Sequence, residues 1–496
     1  MVDFNAPARA PLAGTAPGHY DALRSAPELT GPTTRITVRV CDLRTTHLPT
    51  LGRVSGSWIL LVLLSMLIKK YDLRELSPDA LTRLLKRSEQ DIEEASEIAR
   101  RLIEEVVAEG DHALVRHLAQ IDRVQVDPAR LRVSPEEFAQ ASATLSEEVK
   151  QAVRVAVDNI RSFHTRQLPP RLTLEMLSPG VFAGEQTTAI DRVGLYVPKG
   201  KGSFPSVMAM LAVPAQIAGC SQIVVCTPPS ADGTVDAASL YAAELAGVKN
   251  IIRIGGASAI AAFAYGTQSV PKVDKILGPC NRYGSAAKRL LKGVIDTGLP
   301  AGPSEAIIFA DEFAEPRMVA IDLLNEAEHG PDSAALLVTH SVALSDAVTK
   351  LLPDLVTALP EPRRAFCTEV LHRFGGIVLT RDLSESLAFI NDYAPEHLQV
   401  LIRDPFSVLG KINNAGEILL GEYTPISVAN YCLGVNAILP TGGFAKTVSC
   451  TSIRSFLKGT SIAYCTREGF TSLRGPTQIL AEYEGFPAHT RTARDR

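Results

Sequence analysis

The spacing of apolar residues divides the chain into a helical segment and two series of alternating strands and helices. From Ser77 to about residue 165, apolar side chains recur three and four positions apart, as in Ile98, Leu102 and Val106, and this spacing predicts amphipathic helices. After Ile190, short β-rich runs alternate with helical segments. The first series of runs lies at 193–198, 223–227, 251–255 and 273–278, and the second at 306–310, 334–339, 376–380, 398–402 and 417–420. The alternation predicts an α/β fold with two Rossmann-like parallel-sheet modules in tandem, each binding ligands at the carboxyl ends of its strands.

The same patterns set the expected domain boundaries. We predict a helical N-terminal section (66–190), a first α/β module (191–311), a second α/β module (312–430) and a small C-terminal tail domain (431–496). Residues 1–65 lack a sustained apolar period, so we expect a disordered or appended extension, with the functional chain starting near Met66. The apolar run 58–68 is too short to cross a bilayer and too far from Met1 for an ordinary signal peptide.

Composition excludes some classes of protein and favours one compartment. The 50 Lys and Arg residues nearly balance the 54 Asp and Glu residues, for a formal net charge of -4. Such a balance argues against nucleic-acid binding, which needs a basic surface. The 8 cysteines are scattered without a CxxC spacing, which is typical of a reducing compartment. We therefore expect a cytoplasmic protein that binds neither nucleic acid nor a membrane.

One candidate metal-binding motif lies on a predicted helix that Gly330 and Pro331 end. Glu326 and His329 stand three positions apart on this helix. At that spacing both side chains face the same way, which lets a carboxylate and an imidazole share one cation. The local sequence alone favours the alternative of a solvated helix end or a dipole partner.

A second motif joins Glu396 to His397 behind Pro395, just ahead of a predicted strand. A neutral imidazole can take a proton and a neighbouring carboxylate can orient water, so the pair has the composition of a general-base unit. A polar turn without chemistry is the alternative, since loops are polar by default.

Two glycine-containing turns follow strands of the first module, at 255–257 (Gly-Gly-Ala) and 278–281 (Gly-Pro-Cys-Asn). Small residues between a strand end and a helix start let backbone N–H groups face a phosphate. Neither turn has the GxGxxG spacing of a dinucleotide-binding fingerprint, so purely structural turns are the alternative.

Taken together, these motifs are similar to those of one enzyme family. The shared segments occur in the family's order and at nearly its spacing. They are 194–198 (Gly-Leu-Tyr-Val-Pro), 255–257, 278–281, 301–305 (Ala-Gly-Pro-Ser-Glu), 326–329 (Glu-Ala-Glu-His), 394–398 (Ala-Pro-Glu-His-Leu), Asn436 with 439–441 (Leu-Pro-Thr), and 484–489 (Glu-Gly-Phe-Pro-Ala-His). Over residues 66–496 the chain resembles the histidinol dehydrogenase family.

The resemblance implies a homodimeric, zinc- and NAD-dependent enzyme that oxidises a small polar primary alcohol through an aldehyde to a carboxylate. It implies that Glu396 activates the water that attacks the aldehyde and that His397 takes the proton of the alcohol. The implied NAD contacts are Tyr196, Ser258 and Asn281. The implied substrate contacts are Ser304, Glu326, His329, His397, Asn430, Glu484 and His489, of which Glu484 and His489 come from the partner subunit.

The resemblance also implies a metal site, at which the chain departs from the family. The implied ligands are Glu326, His329, Asn430 and His489, where the family has Gln, His, Asp and His. A carboxylate has moved from one position to another, so the formal charge of the set is unchanged, and two nitrogen and two oxygen donors suit Zn²⁺. Other departures are Ser258 for a Gln, Ala437 for a His, and Lys199 and Cys280 for glycines.

These departures leave three interpretations of the function. The first, which the sequence favours, is a dehydrogenase of this type with an altered pocket and a different small polar alcohol as substrate. The second is L-histidinol dehydrogenase of histidine biosynthesis with tolerated substitutions. The third is a non-catalytic binding protein on the same fold.

Overall fold

A computed structural model describes residues 68–87, 92–199 and 202–496, all within the compact unit Ser55–Arg496. The expected extension (1–65), the expected start near Met66 and nearly all of the apolar run 58–68 lie outside the described residues. No helix of the described part is both long and apolar enough to span a membrane.

Between residues 70 and 189 the described chain forms a group of helices and three strands. These elements are β1 (Lys70–Asp72), α1 (Pro78–Lys86), α2 (Ile92–Glu109), α3 (Asp111–His117), α4 (Pro135–Thr144), α5 (Glu147–Thr165), β2 (Leu172–Ser178) and β3 (Val181–Ala189). Ser77 caps α1 as the sequence predicts, because its hydroxyl accepts a hydrogen bond from Ala80 N at 3.3 Å and Pro78 occupies the first turn. Ser134 and Glu137 form a capping box that starts α4.

The first parallel sheet follows the predicted series of strands and helices closely. Its elements are β4 (Arg192–Tyr196), α6 (Pro205–Ala218), β5 (Gln222–Cys226), α7 (Ala237–Leu245), β6 (Ile251–Ile252), α8 (Gly256–Tyr265), β7 (Lys275–Leu277) and α9 (Arg282–Leu291). The four strands are parallel and lie in the order β6-β5-β4-β7. The direction of strand addition reverses between β4 and β7, which leaves a crevice at the carboxyl ends of these two strands.

Helices cover both faces of this sheet, because a buried parallel sheet needs apolar partners on each side. Helices α4 and α5 pack with α6 and α7 over one face, where Phe138, Val157 and Leu211 are buried. Helices α2 and α3 pack with α8 and α9 over the other face, where Leu114 and Phe263 are buried. The expected helical N-terminal section is therefore not a separate domain, since most of it completes the first module.

The second parallel sheet has six strands in the order β1-β10-β9-β8-β11-β12. Its elements after β1 are β8 (Glu305–Ala310), α10 (Pro316–Ala327), β9 (Ala334–Thr339), α11 (Val342–Thr357), α12 (Arg363–Arg373), β10 (Gly376–Leu379), α13 (Leu383–Tyr393), β11 (His397–Leu401), α14 (Phe406–Leu409), β12 (Glu417–Leu420) and α15 (Ile426–Tyr431). Helices α10, α11 and α12 cover one face, and α13 with α1 covers the other. Every residue of β8 and β9 is buried, as expected of central strands.

The order of the strands places two domain boundaries at other positions than we expected. We expected the second module to begin at residue 312, but β8 lies between β9 and β11, so the module begins before Glu305. Strand β1 pairs with β10, so residues 70–72 belong to the second module as well. Apolar spacing along the chain reports the type of an element and not which sheet it joins, because strand pairing is a long-range contact.

The tail adds a third sheet that apolar spacing did not predict. Its elements are β13 (Leu457–Cys465), α16 (Arg467–Tyr483) and α17 (Pro487–Arg494). Strand β13 pairs antiparallel with β3, which pairs with β2. The sequence of the tail predicts a helix from about Pro476 to Tyr483, but α16 begins nine residues earlier and continues through this proline. A proline usually starts or ends a helix, which is why its position gave the wrong start.

Candidate functional site

A cavity of about 870 Å³ opens at the carboxyl edge of the first sheet. Its walls include Tyr196, Ser258 and Asn281, the residues to which the resemblance assigns NAD contacts. Tyr196 ends β4, and Ser258 lies in the first turn of α8. Asn281 caps α9, where its side-chain oxygen accepts a hydrogen bond from Gly284 N at 3.0 Å. The cavity therefore lies at the reversal between β4 and β7, where sheets of this kind bind ligands.

The two glycine-containing turns shape this cavity through their backbone. Gly278 has a φ of +118°, and a Cβ there would lie 2.0 Å from the carbonyl oxygen of Tyr196, so the position requires glycine. Lys288 Nζ donates a hydrogen bond to the Gly278 carbonyl oxygen at 2.6 Å. Gly256 N donates to the Tyr196 hydroxyl at 3.0 Å. The turns thus have a structural role in addition to lining the cavity.

The candidate catalytic residues lie at the amino edge of the second sheet. Glu396 directly precedes β11, and His397 is the first residue of that strand. His397 is in register with Ala306 of β8 and with Glu417 of β12, so three strand starts meet at this point. The expectation that the second module uses the carboxyl ends of its strands is therefore wrong for these residues.

Helix α10 brings the candidate metal ligands to the same edge. The helix returns the chain from the carboxyl end of β8 to the amino end of β9, so its last turn lies beside the strand starts. That last turn contains Glu326, and His329 follows it. The charge of Glu326 raises the pKa of both Glu396 and His397, although it is not the largest influence on either group. The structure therefore brings the two separate motifs of the sequence together.

His397 is held between two carboxylates. Its Nδ1 lies 2.5 Å from Glu417 Oε1, and its Nε2 lies 3.9 Å from Glu396 Oε1. The other oxygen of Glu396, Oε2, accepts hydrogen bonds from Ser304 Oγ and from Glu305 N, each at 3.0 Å. His397 and Glu396 are both buried. Because Glu417 occupies Nδ1, Nε2 is the ring nitrogen that is left to exchange a proton with a bound molecule.

The surroundings shift the acid–base properties of this pair. Burial lowers the pKa of His397, but the carboxylates of Glu396 and Glu417 raise it more strongly, to about 10. Burial raises the pKa of Glu396 to about 7, although the charge of His397 lowers it. A cation bound beside Glu326 would lower the pKa of both groups, because it favours the neutral imidazole and the carboxylate.

A buried ion pair lies next to the backbone segments that position Glu396. Arg87, just after α1, lies 2.7 Å from Glu305 through Nη1 and Oε1, and both side chains are only 4% exposed. Its guanidinium also lies 3.7 Å from the centre of the Tyr393 ring and donates a hydrogen bond to the Tyr393 carbonyl oxygen. Burial raises the pKa of Glu305 to about 8, although Arg87 lowers it. The pair links the start of β8, which orients Glu396, to the turn that precedes Glu396.

The candidate metal ligands include buried oxygen atoms without partners. Both carboxylate oxygens of Glu326 and Oδ1 of Asn430 have no hydrogen-bond partner within the described structure. Helices α10 and α15, which carry these two residues, pack against each other. His329 Nδ1 lies 3.9 Å from Glu326 Oε1 and 3.1 Å from the Glu326 carbonyl oxygen. A buried carboxylate without a partner is costly, so this donor set fits a divalent cation such as zinc.

The last two predicted site residues lie on the two tail helices. Glu484 caps the end of α16, and His489 lies on α17, which packs against α16. Both residues are exposed, and the His489 ring contacts Phe486 at 5.2 Å between ring centres. No group of three His, Cys, Asp or Glu residues positioned to hold a metal occurs in the described part of the chain.

Three departures from the family pattern lie outside the cluster around Glu396. Ala437 packs against the apolar core that covers the first sheet, so its small side chain fills a packing position. Cys280 lies in the turn after β7, and burial raises the pKa of its thiol, which opposes nucleophilic reactivity. Lys199 lines the cavity and donates a hydrogen bond to the Ser230 hydroxyl.

Sequence reasoning missed Glu417 as a functional residue. The sequence predicts that one strand starts at Glu417 and that another starts directly after His397. Two parallel strands that start with an imidazole and a carboxylate can pair them if the strands are adjacent and in register. The sequence contains this signal. The order of the strands in the sheet, which is needed to use it, cannot be read from the sequence pattern.

Comparison with known proteins assigns this arrangement to a family. A sequence model described as histidinol dehydrogenase matches residues 85–496. The chain belongs to the histidinol dehydrogenase family. A histidinol dehydrogenase from Synechocystis sp. is 53% identical over 424 residues, which cover 86% of this chain and 98% of that protein. A "Histidinol dehydrogenase homolog" from Cereibacter sphaeroides is 49% identical over 419 residues, which cover 84% of this chain and 95% of that protein.

A solved structure confirms the fold prediction. The crystal structure of histidinol dehydrogenase from Elizabethkingia anophelis superposes with a TM-score of 0.81 at 33% identity, covering 86% of this chain and 97% of that one. The α/β fold with parallel sheets is therefore that of the family. Histidinol dehydrogenases are NAD- and zinc-dependent oxidoreductases, so the two predicted cofactors are those of the family. The comparisons support the second interpretation, L-histidinol dehydrogenase, better than the altered pocket that the sequence favoured.

Proposed function

We propose that the chain oxidises L-histidinol through an aldehyde to a carboxylate, with two molecules of NAD as oxidants. The observation that carries the proposal is the buried row of Glu396, His397 and Glu417 beside the unpartnered oxygens of Glu326. It combines a positioned base, a second carboxylate for water and a donor set for a cation. The similarity to named histidinol dehydrogenases over nearly their whole length supports the same substrate.

Zinc and NAD each have residues that fit them. Glu326, His329 and Asn430 would hold the zinc together with His489 of the partner subunit, and Tyr196, Ser258 and Asn281 would contact NAD. Bound zinc supplies a Lewis acid for the substrate oxygen, and NAD supplies the hydride acceptor.

The chain's own residues would move the protons. His397 takes the proton of the alcohol at Nε2, while Glu417 holds the ring at Nδ1 and stabilises the imidazolium that forms. Glu396 Oε1 takes a proton from the water that attacks the aldehyde. Ser304 Oγ and Glu305 N hold Oε2, so Glu396 keeps one oxygen free for this step.

The remaining assignments complete the proposed active site. Ser304, Glu326, His329, His397 and Asn430 of one chain would bind the substrate with Glu484 and His489 of its partner in a homodimer. We propose a cytoplasmic location, which the free cysteines of the described residues support.

The test is NADH formation by purified, zinc-analysed protein offered L-histidinol beside a panel of other small polar alcohols. We expect two NADH per L-histidinol, because the carboxylate product requires four electrons. His397→Ala should abolish NADH formation and keep zinc, whereas His372→Ala, an exposed histidine on α12, should behave as wild type. Full activity of His397→Ala would end the assignment of the base.

A second candidate is a related dehydrogenase with another polar alcohol as substrate. Two observations favour it: Ser258 replaces a glutamine in the cofactor cavity, and relatives at 46–49% identity are named only as homologs. Zinc-loaded protein that oxidises another alcohol of the panel but not L-histidinol would establish this candidate in place of the first.

A further inference from the structure

A buried histidine contacts Ser258 in the cofactor cavity. His117, the last residue of α3, is only 2% exposed, and its Nδ1 lies 2.8 Å from Ser258 Oγ. Its other nitrogen, Nε2, lies 2.7 Å from Glu105 Oε2. All three residues line the cavity of about 870 Å³. A continuous row of side chains thus connects helix α2 to the first turn of α8.

Glu105 determines how this row is hydrogen-bonded. Arg116 Nη2 lies 2.9 Å from Glu105 Oε2, and Arg101 Nε lies 3.9 Å from Oε1, so Glu105 is surrounded by positive charge. Hydrogen bonds from His117 and Arg116 lower the pKa of Glu105, which is therefore a carboxylate and only accepts. When the His117 ring carries one proton, that proton lies on Nε2, which donates to Glu105, and Nδ1 accepts a hydrogen bond.

This arrangement determines in which direction the Ser258 hydroxyl donates its hydrogen bond. Because Nδ1 accepts, the Ser258 hydroxyl donates its only hydrogen to His117, and its lone pairs are left to face the cavity. Ser258 then presents an acceptor to a bound molecule. A glutamine, which the family has at this position, would offer both an acceptor and a donor.

We propose that His117, fixed by Glu105, is a positioning residue that makes Ser258 a hydrogen-bond acceptor for NAD. The partner on NAD is a donor group, a ribose hydroxyl or the amide N–H of the nicotinamide. The inference rests on the proposed NAD-dependent function, and it assigns part of the cofactor site to the N-terminal helices. In this chain the pair His117 and Ser258 takes the place of the family's single glutamine.

Two substitutions distinguish the contributions of the two ring nitrogens of His117. In His117→Asn the amide group replaces Nδ1 and keeps a partner for Ser258, whereas in His117→Gln it replaces Nε2 and keeps only the contact with Glu105. We expect the Kd for NADH, measured by fluorescence titration of zinc-loaded protein, to rise about fivefold in His117→Gln and less than about twofold in His117→Asn. His112→Asn, an exposed histidine on the same helix, should leave the Kd unchanged.

A double-mutant cycle tests whether His117 acts through Ser258. Ser258→Ala should raise the Kd about fivefold, and adding His117→Gln should raise it no further, because the same contact is already lost. Thermal unfolding of each variant shows whether it is folded. Equal Kd values for His117→Gln and wild type, equal losses in the Asn and Gln variants, or additive effects in the double variant would each overturn the inference.

The wild-type protein distinguishes this inference from the proposed function. If it binds no NADH, both fail. If it binds NADH but does not oxidise L-histidinol, only the proposed substrate fails, and the same titrations still decide the role of His117.

Discussion

Glu417 fixes the orientation of the His397 imidazole ring. With Nδ1 held at 2.5 Å by a carboxylate, the ring keeps Nε2 turned toward Glu396 and gains positive charge more easily. The same residue thus sets both the orientation and the basicity of the proposed base. This makes Glu417 the residue whose removal should affect the chemistry most without touching the substrate.

We predict that Glu417→Gln lowers kcat for L-histidinol about 100-fold or more. The amide can donate to Nδ1, which would place the imidazole proton on Nε2 and block the base. Zinc content, measured by metal analysis, should stay at the wild-type level. Glu422→Gln changes an exposed acid five residues further on and should keep wild-type kcat. A wild-type kcat in Glu417→Gln would remove Glu417 from the mechanism.

The pH profile should report the two carboxylates around His397. They raise the pKa of His397 to about 10 against the opposing effect of burial, and only the neutral ring can act as a base. We therefore expect kcat/KM to rise with pH above neutrality, with a midpoint below 10 when zinc adds its charge. In Glu417→Gln one of the raising charges is gone, so the midpoint of the residual activity should move to lower pH. A midpoint that stays in place or moves upward would contradict this electrostatic account.

Local sequence patterns found some of the site residues and could not find others. Glu396 with His397, and Glu326 with His329, stand close together in the chain, so spacing alone shows that they can act jointly. Glu417, His117 and Arg87 act through partners 20, 141 and 218 positions away, respectively. Such pairs depend on strand order and helix packing, which apolar periodicity does not encode.

At the scale of elements, the prediction was strongest for strand and helix positions. The expected strands of the second series start within one residue of β8 to β12, because buried parallel strands are nearly continuous apolar runs. The edge of the sheet that carries the site was predicted wrongly, because the last turn of α10 and the starts of β8, β11 and β12 meet only in three dimensions. In the sheet of β2, β3 and β13, which was missed, β2 and β3 are consecutive, but β13 lies far from both in the sequence, so local patterns do not show that it pairs with β3.

The turn after β7 offers a test of how tightly the first module is built around its cavity. Gly278→Ala adds a Cβ that would meet the Tyr196 carbonyl oxygen, at a backbone conformation that alanine rarely adopts. We expect it to lower the free energy of unfolding by about 2 kcal/mol and to weaken NADH binding. Gly293→Ala has open space around the added Cβ and should leave both quantities close to wild type. Equal stability of the two variants, measured by denaturant unfolding, would show that the turn tolerates a side chain.

At the scale of the whole molecule, the third sheet and the tail helices of the single chain expose apolar surface. Exposed apolar side chains concentrate there, with Met176 at 63%, Ile479 at 67% and Tyr483 at 90% exposed. Exposed apolar surface of this kind is typical of a protein–protein contact. Glu484 and His489 belong to the same tail, which supports the proposal that a second copy of the chain receives them in its active site.

Mixing two inactive variants tests this sharing directly. His397→Ala damages the site of its own chain, whereas His489→Ala would damage the site of the partner. In a mixed dimer one site then carries both defects and the other carries none. If variants are unfolded together and refolded with zinc, random pairing makes half of the dimers mixed, so we expect about a quarter of the wild-type activity. Each variant refolded alone should remain inactive, and a mixture that also stays inactive, although wild type refolds under the same conditions, would mean that each chain uses its own His489.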